Sequence, residues 1–251
     1  MKRSPVPRSA IRKMAKSARL AGAAAGLALI AGHAGAQTTN PADPFEPFNR
    51  GVFRLNEAVD EAVLVPAARA YRAVLPQPVR TGVTNFFNNI GDVWSFANSV
   101  MQLRAQNSAQ TFMRLNVNTV FGLGGILDVA TELGIERHRE DFGQTLGRWG
   151  VPSGPYILLP VLGPSTVRDT AALLVDLNAD GVAAIKPVAA RDVSYVLRVV
   201  DARAQFLRAG QILGDAALDK YSFTRDIYLQ RRQAEVDDGK PRDDDDSGRG
   251  R

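Results

Sequence analysis

The stretch DFGQTLGRWGVPSGPYILLPVLGPSTVRD, from Asp141 to Asp169, constrains the fold more than any other part of this chain of 251 residues. Five glycines and four prolines lie between Gly143 and Pro164, around the apolar run Tyr156 to Leu162. Proline fixes φ and lacks an N–H, and glycine loses much conformational freedom on ordering, so a regular helix is excluded here. The run is also too apolar for an ordinary solvated loop. We therefore expect an irregular, stiffened, hydrophobic segment of the kind that lines a cavity or a site.

Residues 1–36 have the pattern of a signal peptide. They carry seven Lys and Arg and no acidic residue, then an apolar run from Leu20 to Ala31, and they end in Ala34-Gly35-Ala36. Small residues at that spacing are typical of a signal-peptidase site. The apolar run has 12 residues, fewer than the ~20 that a spanning helix needs. We predict export to the periplasm, with a retained amphipathic anchor as the alternative.

The basic character of the whole chain comes from this N-terminal segment. The net charge is +5 and the pI is 9.7. Subtracting the seven basic residues leaves 24 Lys and Arg against 26 Asp and Glu, a net charge of −2. Because the excess of positive charge belongs to a targeting segment, it does not indicate a nucleic-acid partner.

The chain contains no cysteine, which excludes a disulfide framework and a thiolate site within it. Ile30-Ala31-Gly32-His33 has the shape of a lipoprotein cleavage box, with His33 in the place of the lipidated cysteine. Chance in a segment rich in Ala and Gly is the alternative explanation. Either way, no acyl anchor can be attached to a cysteine of this chain.

Hydrophobic periodicity predicts amphipathic helices through most of the remaining sequence. The predicted segments are 48–71, 79–90 and 92–120, then helices that start near 166 and 192, and a last one over 222–235. Pro66 is expected to break or kink the first helix, and Asp92 is a plausible N-cap of the third, which would divide in two at 104–110. The charge-blocked residues 236–251 are predicted to be disordered. The fold class is mainly α, with one domain over 37–235.

The inventory of reactive groups argues against an enzyme. His138 is the only histidine after residue 36, so no metal site of His and Cys ligands can be assembled. Gly150-Val151-Pro152-Ser153-Gly154 lacks the G-x-S-x-G spacing of a nucleophile elbow, and Gly122-x-Gly124-Gly125 lacks the Lys-Ser/Thr of a phosphate loop. We expect no catalytic residue, no metal and no cofactor. A secreted hydrolase that uses Ser153 and His138 is kept as an alternative.

A series of ordered motifs runs from residue 43 to residue 232. They include Asp43-Pro44-Phe45-Glu46-Pro47-Phe48-Asn49-Arg50, Pro76-Gln77-Pro78-Val79-Arg80, Gly122-Leu123-Gly124-Gly125, Asp141-Phe142-Gly143-Gln144-Thr145-Leu146-Gly147, Gly154-Pro155-Tyr156 and Gly163-Pro164-Ser165. In their order and spacing they resemble the MlaA/VacJ family of outer-membrane lipoproteins. The family's members carry a lipidated cysteine, from which this chain departs.

The resemblance implies a ring-like arrangement of amphipathic helices, with irregular Gly/Pro-rich segments, around a central amphipathic channel. It implies a location on the periplasmic face of the outer membrane, with an outer-membrane porin trimer and a periplasmic lipid carrier as partners. The implied function is non-enzymatic removal of mislocalised phospholipid from the outer leaflet and its transfer to the carrier, which maintains lipid asymmetry. A periplasmic scaffold that binds porin without moving lipid is the remaining alternative.

Physical cost favours a channel for such a task. Two acyl chains have on the order of 30 methylenes, and at ~0.8 kcal/mol each their exposure to water costs roughly 20 kcal/mol. Irregular backbone in hydrocarbon must be buried in protein or line a cavity. The expected channel residues are Gly122, Leu123, Gly124, Gly125, Ile126, Leu127, Tyr156, Ile157, Leu158, Leu159, Val161 and Leu162. Arg148, Arg168 and Asp169 are expected to meet the headgroup, with a structural ion pair as the alternative.

Overall fold

The computed structural model describes residues 40–216 and 218–238. Helices dominate these residues, which confirms the predicted class. The α-helices are α1 (Glu46–Val59), α2 (Val65–Val74), α3 (Gln77–Met101), α4 (Ala105–Val120), α5 (Val129–Glu132), α6 (Phe142–Arg148), α7 (Val167–Ala179), α8 (Val188–Ala216) and α9 (Lys220–Asp237). A π-helix covers Asp60–Leu64 and a 3₁₀-helix Gly181–Ala184. The predicted signal peptide and the part of the predicted disordered tail beyond residue 238 lie outside the described residues. The prediction of disorder is wrong for Val236 and Asp237, which belong to α9, where the side chain of Val236 is buried. The ring-like arrangement stays a prediction.

Several helices begin at capping side chains that are visible in the sequence. Thr166 accepts a hydrogen bond from the backbone N–H of Asp169 (3.2 Å) at the start of α7, and Asp141 does the same for Gln144 (2.8 Å) in α6. Asp219 caps α9. Each oxygen satisfies a donor that a helix N-terminus leaves unpaired. The prediction of a helix starting near Thr166 is confirmed.

The helix predicted over 92–120 is wrong at its start, whereas its expected division into two helices is observed, with the second helix beginning after Arg104. One continuous helix, α3, covers Gln77–Met101, and Asp92 lies buried inside it instead of capping it. Asp92 faces Arg137 across 3.5 Å, a long-range partner that local periodicity does not reveal. The break before α4 falls at residues 102–104, where Leu103 has a φ of 57°.

Pro66 does not end the first helical segment. It lies at the start of α2, immediately after the π-helix. A proline inside an α-helix removes one hydrogen bond and its ring clashes with the carbonyl four residues earlier. The wider π turn, closed by a bond from the N–H of Val65 to the carbonyl of Asp60, lets the chain continue helically.

The apolar run from Tyr156 forms an antiparallel hairpin, contrary to the expectation of irregular backbone. Strand β1 (Tyr156–Leu159) pairs with β2 (Gly163–Thr166), with Tyr156 opposite Thr166 and Leu159 opposite Gly163. The turn between the strands contains Val161 at a φ of 66°, a conformation that is unfavourable for a β-branched residue.

Two asparagines of α1 complete the hydrogen bonding of this hairpin. Asn49 accepts from the N–H of Leu158 (2.9 Å) and donates to the carbonyl of Tyr156 (3.3 Å). Asn56 accepts from the N–H of Val161 (2.8 Å) and donates to the carbonyl of Leu159 (3.0 Å). Seven residues separate the two asparagines, about two helical turns, so both face the hairpin. The amides replace a third strand and offset the backbone strain at the turn.

The core is small and contains many polar groups. Val52, Tyr156, Leu158 and Tyr221 form one apolar cluster, and a second cluster joins α2 to α8. Charged side chains are buried elsewhere in the fold: Arg114 is almost fully buried and donates to both carboxylate oxygens of Asp128 (2.7 and 2.8 Å). Large apolar side chains are correspondingly frequent on the surface.

Candidate functional site

A cavity of about 740 Å³ lies where α1, the π-helix, α2, α8 and α9 meet. We call it the α8–α9 cavity. Its lining residues come from three separate parts of the chain, residues 53–69, residue 164 and residues 203–231: Phe53, Glu57, Asp60, Glu61, Val65, Arg69, Pro164, Arg203, Leu207, Gly210, Lys220, Phe223, Thr224, Ile227, Tyr228 and Arg231. Its volume lies within the range of sites that hold small ligands.

The wall of the α8–α9 cavity is amphipathic. Phe53, Val65, Leu207, Phe223 and Ile227 present apolar surface to it. The other part of the lining is charged, with three carboxylates on α1 and the π-helix and four basic side chains on α2, α8 and α9. Such a wall can accommodate a ligand that has both a hydrocarbon part and a polar part.

A bidentate ion pair lies within this wall. Arg203 on α8 donates from Nε and Nη2 to the two carboxylate oxygens of Asp60 on the π-helix, at 2.6 and 2.8 Å. The hydrogen bond to Asp60 raises the pKa of Arg203 above its ordinary value, more than burial lowers it. A second, weaker pair joins Lys220 to Glu57 at 3.8 Å. The charges on this side of the cavity are therefore largely matched.

Helix α9, which forms one side of the cavity, is held at both ends. At its start, Arg50 donates to the two oxygens of Asp219 at 3.2 and 2.7 Å. This bond lowers the pKa of Asp219 below its ordinary value. At its end, Arg104 donates to the carbonyls of Glu235 (3.0 Å) and Asp238 (2.7 Å). The cavity wall is thus a fixed element of the fold.

The predicted channel residues in the hairpin do not line this cavity. Tyr156 and Leu158 are fully buried in the core, because they share the strand face that packs on α1 and α9. Ile157 and Leu159 are half-buried, and Val161 and Leu162 are exposed at the turn. None of the six is among the cavity-lining residues, whereas the neighbouring Pro164 is.

The second predicted channel segment, Gly122 to Leu127, forms the turn between α4 and α5. Gly122 and Gly125 are buried, and Leu123 and Gly124 are exposed. Ile126 and Leu127 line a separate cavity of about 590 Å³ against the start of α3. The structure therefore does not bring the two predicted segments together around the α8–α9 cavity.

Two of the three predicted headgroup residues, Arg168 and Asp169, belong to a buried ion network. Asp169 accepts from Arg168 (2.9 Å), from Arg232 (2.8 Å) and from the hydroxyl of Tyr228 (2.9 Å). Arg148 donates to the carbonyl of Asp238 (3.3 Å). This arrangement corresponds to the structural alternative for Arg168 and Asp169. None of the three predicted residues lines the α8–α9 cavity.

Sequence reasoning missed the residues that line the cavity. Three of them, Glu57, Asp60 and Glu61, lie shortly before Pro66. A cluster of carboxylates on a helix next to a proline is the sequence signal that could have indicated a site here. Arg203, the partner of Asp60, lies 143 residues further along the chain, and no local sequence pattern pairs the two.

The alternative site for a hydrolase is not assembled. His138 contacts the side-chain oxygen of Gln110 at 2.5 Å, and no hydrogen bond joins it to Ser153. Over residues 40–216 and 218–238, no group of three His, Cys, Asp or Glu side chains is placed to hold a metal ion. Within the same ranges, no helix is long and apolar enough to cross a membrane.

The sequence of this chain is similar to those of known proteins. The family model described as MlaA lipoprotein matches residues 41–235. The intermembrane phospholipid transport system lipoprotein MlaA of Haemophilus influenzae is 35% identical over 216 residues, which is 81% of this chain and 83% of that protein. The Escherichia coli protein of the same description is 33% identical, over 85% of this chain and 86% of that protein.

A solved structure gives the same result in three dimensions. It is described as "Structural basis for maintenance of bacterial outer membrane lipid asymmetry" and is 31% identical to this chain. The two superpose with a TM-score of 0.68 over 77% of this chain and 98% of the other. The chain belongs to the MlaA family.

Proposed function

We propose that this protein removes mislocalised phospholipid from the outer leaflet of the outer membrane and that the lipid passes through the α8–α9 cavity. The observation that carries the proposal is an amphipathic cavity in a member of a phospholipid-transport family. The apolar side chains of the wall would contact the acyl chains, and the charged side chains would contact the headgroup. Such a path offsets much of the cost, roughly 20 kcal/mol, of exposing two acyl chains to water.

The proposal includes export to the periplasmic face of the outer membrane, association with a porin trimer and delivery to a periplasmic carrier. Three turns each expose a large apolar side chain, namely Leu103, Leu123 and Val161, and these side chains would hold the protein against the bilayer. Contact of this kind needs no acyl group on a cysteine, of which the chain has none. No covalent step is required, and we propose no enzymatic activity.

The experiment places a charge in the cavity wall. Ile227 on α9 is partly exposed towards the cavity, so Ile227→Asp puts a carboxylate in the apolar path without disturbing the core. Leu158→Asp would be a poor choice, because Leu158 is buried and its replacement would unfold the hairpin. Val199→Asp on α8 is the matched control, since Val199 is similarly exposed and lies outside the cavity lining.

Cells that lack the protein are complemented with each variant, and outer-leaflet phospholipid is measured together with protein level and porin co-purification. We expect Ile227→Asp to leave phospholipid in the outer leaflet, as in the deletion strain, while Val199→Asp restores asymmetry. Restoration by an Ile227→Asp protein present at normal level would contradict the proposed path. Unchanged asymmetry after deletion would contradict the proposed function itself.

A further inference from the structure

The charges around the α8–α9 cavity are arranged in pairs. Asp60 is paired with Arg203, and Glu57 with Lys220. Arg231 is paired with Glu235 at 2.9 Å. Of the charged lining residues, this leaves Arg69 and Glu61, one of each sign. The cavity therefore presents charges of both signs with little net charge, and a ligand that enters it meets a dipolar wall.

We propose that the Asp60–Arg203 pair is a headgroup-exchange site for zwitterionic phospholipids, whose headgroup carries a phosphate and an ammonium group. This inference rests on the proposed function and names the lipid class that the same cavity prefers. In the bound state, the phosphate would accept hydrogen bonds from Arg203, and Asp60 would accept from the ammonium group.

When the Asp60–Arg203 ion pair separates, each side chain needs a new partner of opposite charge. The side chains of Arg203 and Asp60 are 22% and 29% exposed, so neither charge is fully hydrated once its partner is lost. A zwitterionic headgroup supplies a new partner to both side chains. An anionic headgroup, such as that of a phosphatidylglycerol, satisfies Arg203 and leaves Asp60 unpaired beside a phosphate, with Glu61 nearby on the π-helix. Loss of a charged hydrogen-bonding partner in a partly dry site is unfavourable.

The position of the pair supports exchange. Asp60 is the first residue of the π-helix, and short π-helical segments inside α-helices frequently occur at functional sites. Apolar side chains of the cavity wall, such as Val65 and Leu207, lie on neighbouring elements. A headgroup at the pair would therefore keep its acyl chains within reach of the apolar wall.

The test measures which lipid the protein acquires. The full chain is expressed with its N-terminal segment, purified from the envelope and incubated with vesicles that contain phosphatidylethanolamine and phosphatidylglycerol in equal amounts, with identical acyl chains. Bound lipids are quantified by mass spectrometry as a ratio. Circular dichroism confirms that each variant is folded.

Three variants separate headgroup exchange from a merely structural ion pair. Asp60→Asn leaves Arg203 without its anionic partner, so we expect the ratio to shift roughly tenfold toward phosphatidylglycerol, equivalent to about 1.4 kcal/mol. The exchanged pair Asp60→Arg with Arg203→Asp retains both charges and should keep the preference of the unaltered protein. The control is Asp180→Asn, which removes a 2.6 Å pair to Arg198 on the same helix but outside this cavity, and should change nothing.

Each outcome is decisive. Lipid uptake with no preference, or an equal ratio for Asp60→Asn and Asp180→Asn, would overturn this inference while leaving the proposed function intact. Failure to acquire any lipid would contradict the proposed function and the inference together. Soluble glycerophosphoethanolamine, added in excess, should not block uptake. If it did, the site would recognise a free headgroup and the assignment to phospholipid would be overturned.

Discussion

Arg232 joins three parts of the fold through one buried guanidinium group. Its Nε donates to Asp169 at 2.8 Å and its two Nη atoms donate to Asp141, each at 2.6 Å. The side chains of Arg232 and Asp169 are 10% and 7% exposed, whereas that of Asp141 is 37% exposed. Burial raises the pKa of Asp169, but the hydrogen bonds and charges of Arg232 and Arg168 lower it more, so its carboxylate stays ionised.

Arg232→Met keeps the apolar stem and removes the charge. Removing one partner of a buried ion pair typically costs 3–5 kcal/mol, because the other charge remains buried. Asp169 retains Arg168 at 2.9 Å and the hydroxyl of Tyr228 at 2.9 Å, and Asp141 is in part hydrated. We therefore expect a loss near the lower limit, about 3 kcal/mol. For a chain of this size that corresponds to a melting temperature lowered by roughly 6–12 °C.

Thermal unfolding in a mild detergent, followed by circular dichroism, measures the effect. Arg231→Met is the matched control on the same helix, since the side chain of Arg231 is 72% exposed and its ion pair within residues 40–216 and 218–238 is the one to Glu235, one turn away. We expect this control to cost about 0–0.5 kcal/mol. If the two variants unfold at the same temperature, the buried network does not hold α9 in place and the reasoning above is refuted.

Two further predictions concern the turn after α4 and its neighbours. A Cβ at Gly122 would overlap the carbonyl oxygens of Asn118 and Leu127, so Gly122→Ala should cost about 2–3 kcal/mol, while Gly51→Ala has open space in mid-helix and should be neutral or stabilising by up to ~1 kcal/mol in the same unfolding assay. Burial raises the pKa of Asp128, but hydrogen bonds and nearby arginines lower it by more, so that the pKa falls from an ordinary 3.8 to about 2. The stability it contributes is complete above the ordinary value and is lost as the pH falls toward the lower one, so Asp128→Asn should flatten the pH dependence of unfolding in that window, and an unchanged slope would contradict this assignment.

Local sequence signals predicted much of the helical framework. The helix after Thr166 was expected, and the helical class follows from apolar periodicity. The exclusion of a helix from the stretch that begins at Asp141 was wrong at its start, because the Asp141 carboxylate caps a short helix, α6, ahead of the first proline. The predicted helix boundaries were wrong where a contact with a residue distant in sequence determines the structure. Asp92 has the appearance of an N-cap, yet it lies inside α3 and faces Arg137.

The hairpin shows why the candidate site was only partly predictable. Glycine and proline density correctly excluded a helix from Tyr156 to Leu162, but it could not reveal the asparagines of α1 that satisfy the strand backbone. With those partners the segment becomes a strand pair whose alternate side chains enter the core. Without those side-chain amides, an apolar segment that cannot form a helix is expected to have irregular backbone, and lining a channel is a use that such backbone can have.

The sequence by itself determined the helical class, the absence of cysteine chemistry and the family, since each depends on composition, periodicity or ordered motifs. The tertiary structure alone decided which apolar faces meet each other and which meet a cavity. Periodicity defines the face of a helix and not its partner, so the pairing of Asp60 with Arg203 and the cavity around it arise only when segments more than a hundred residues apart are brought together.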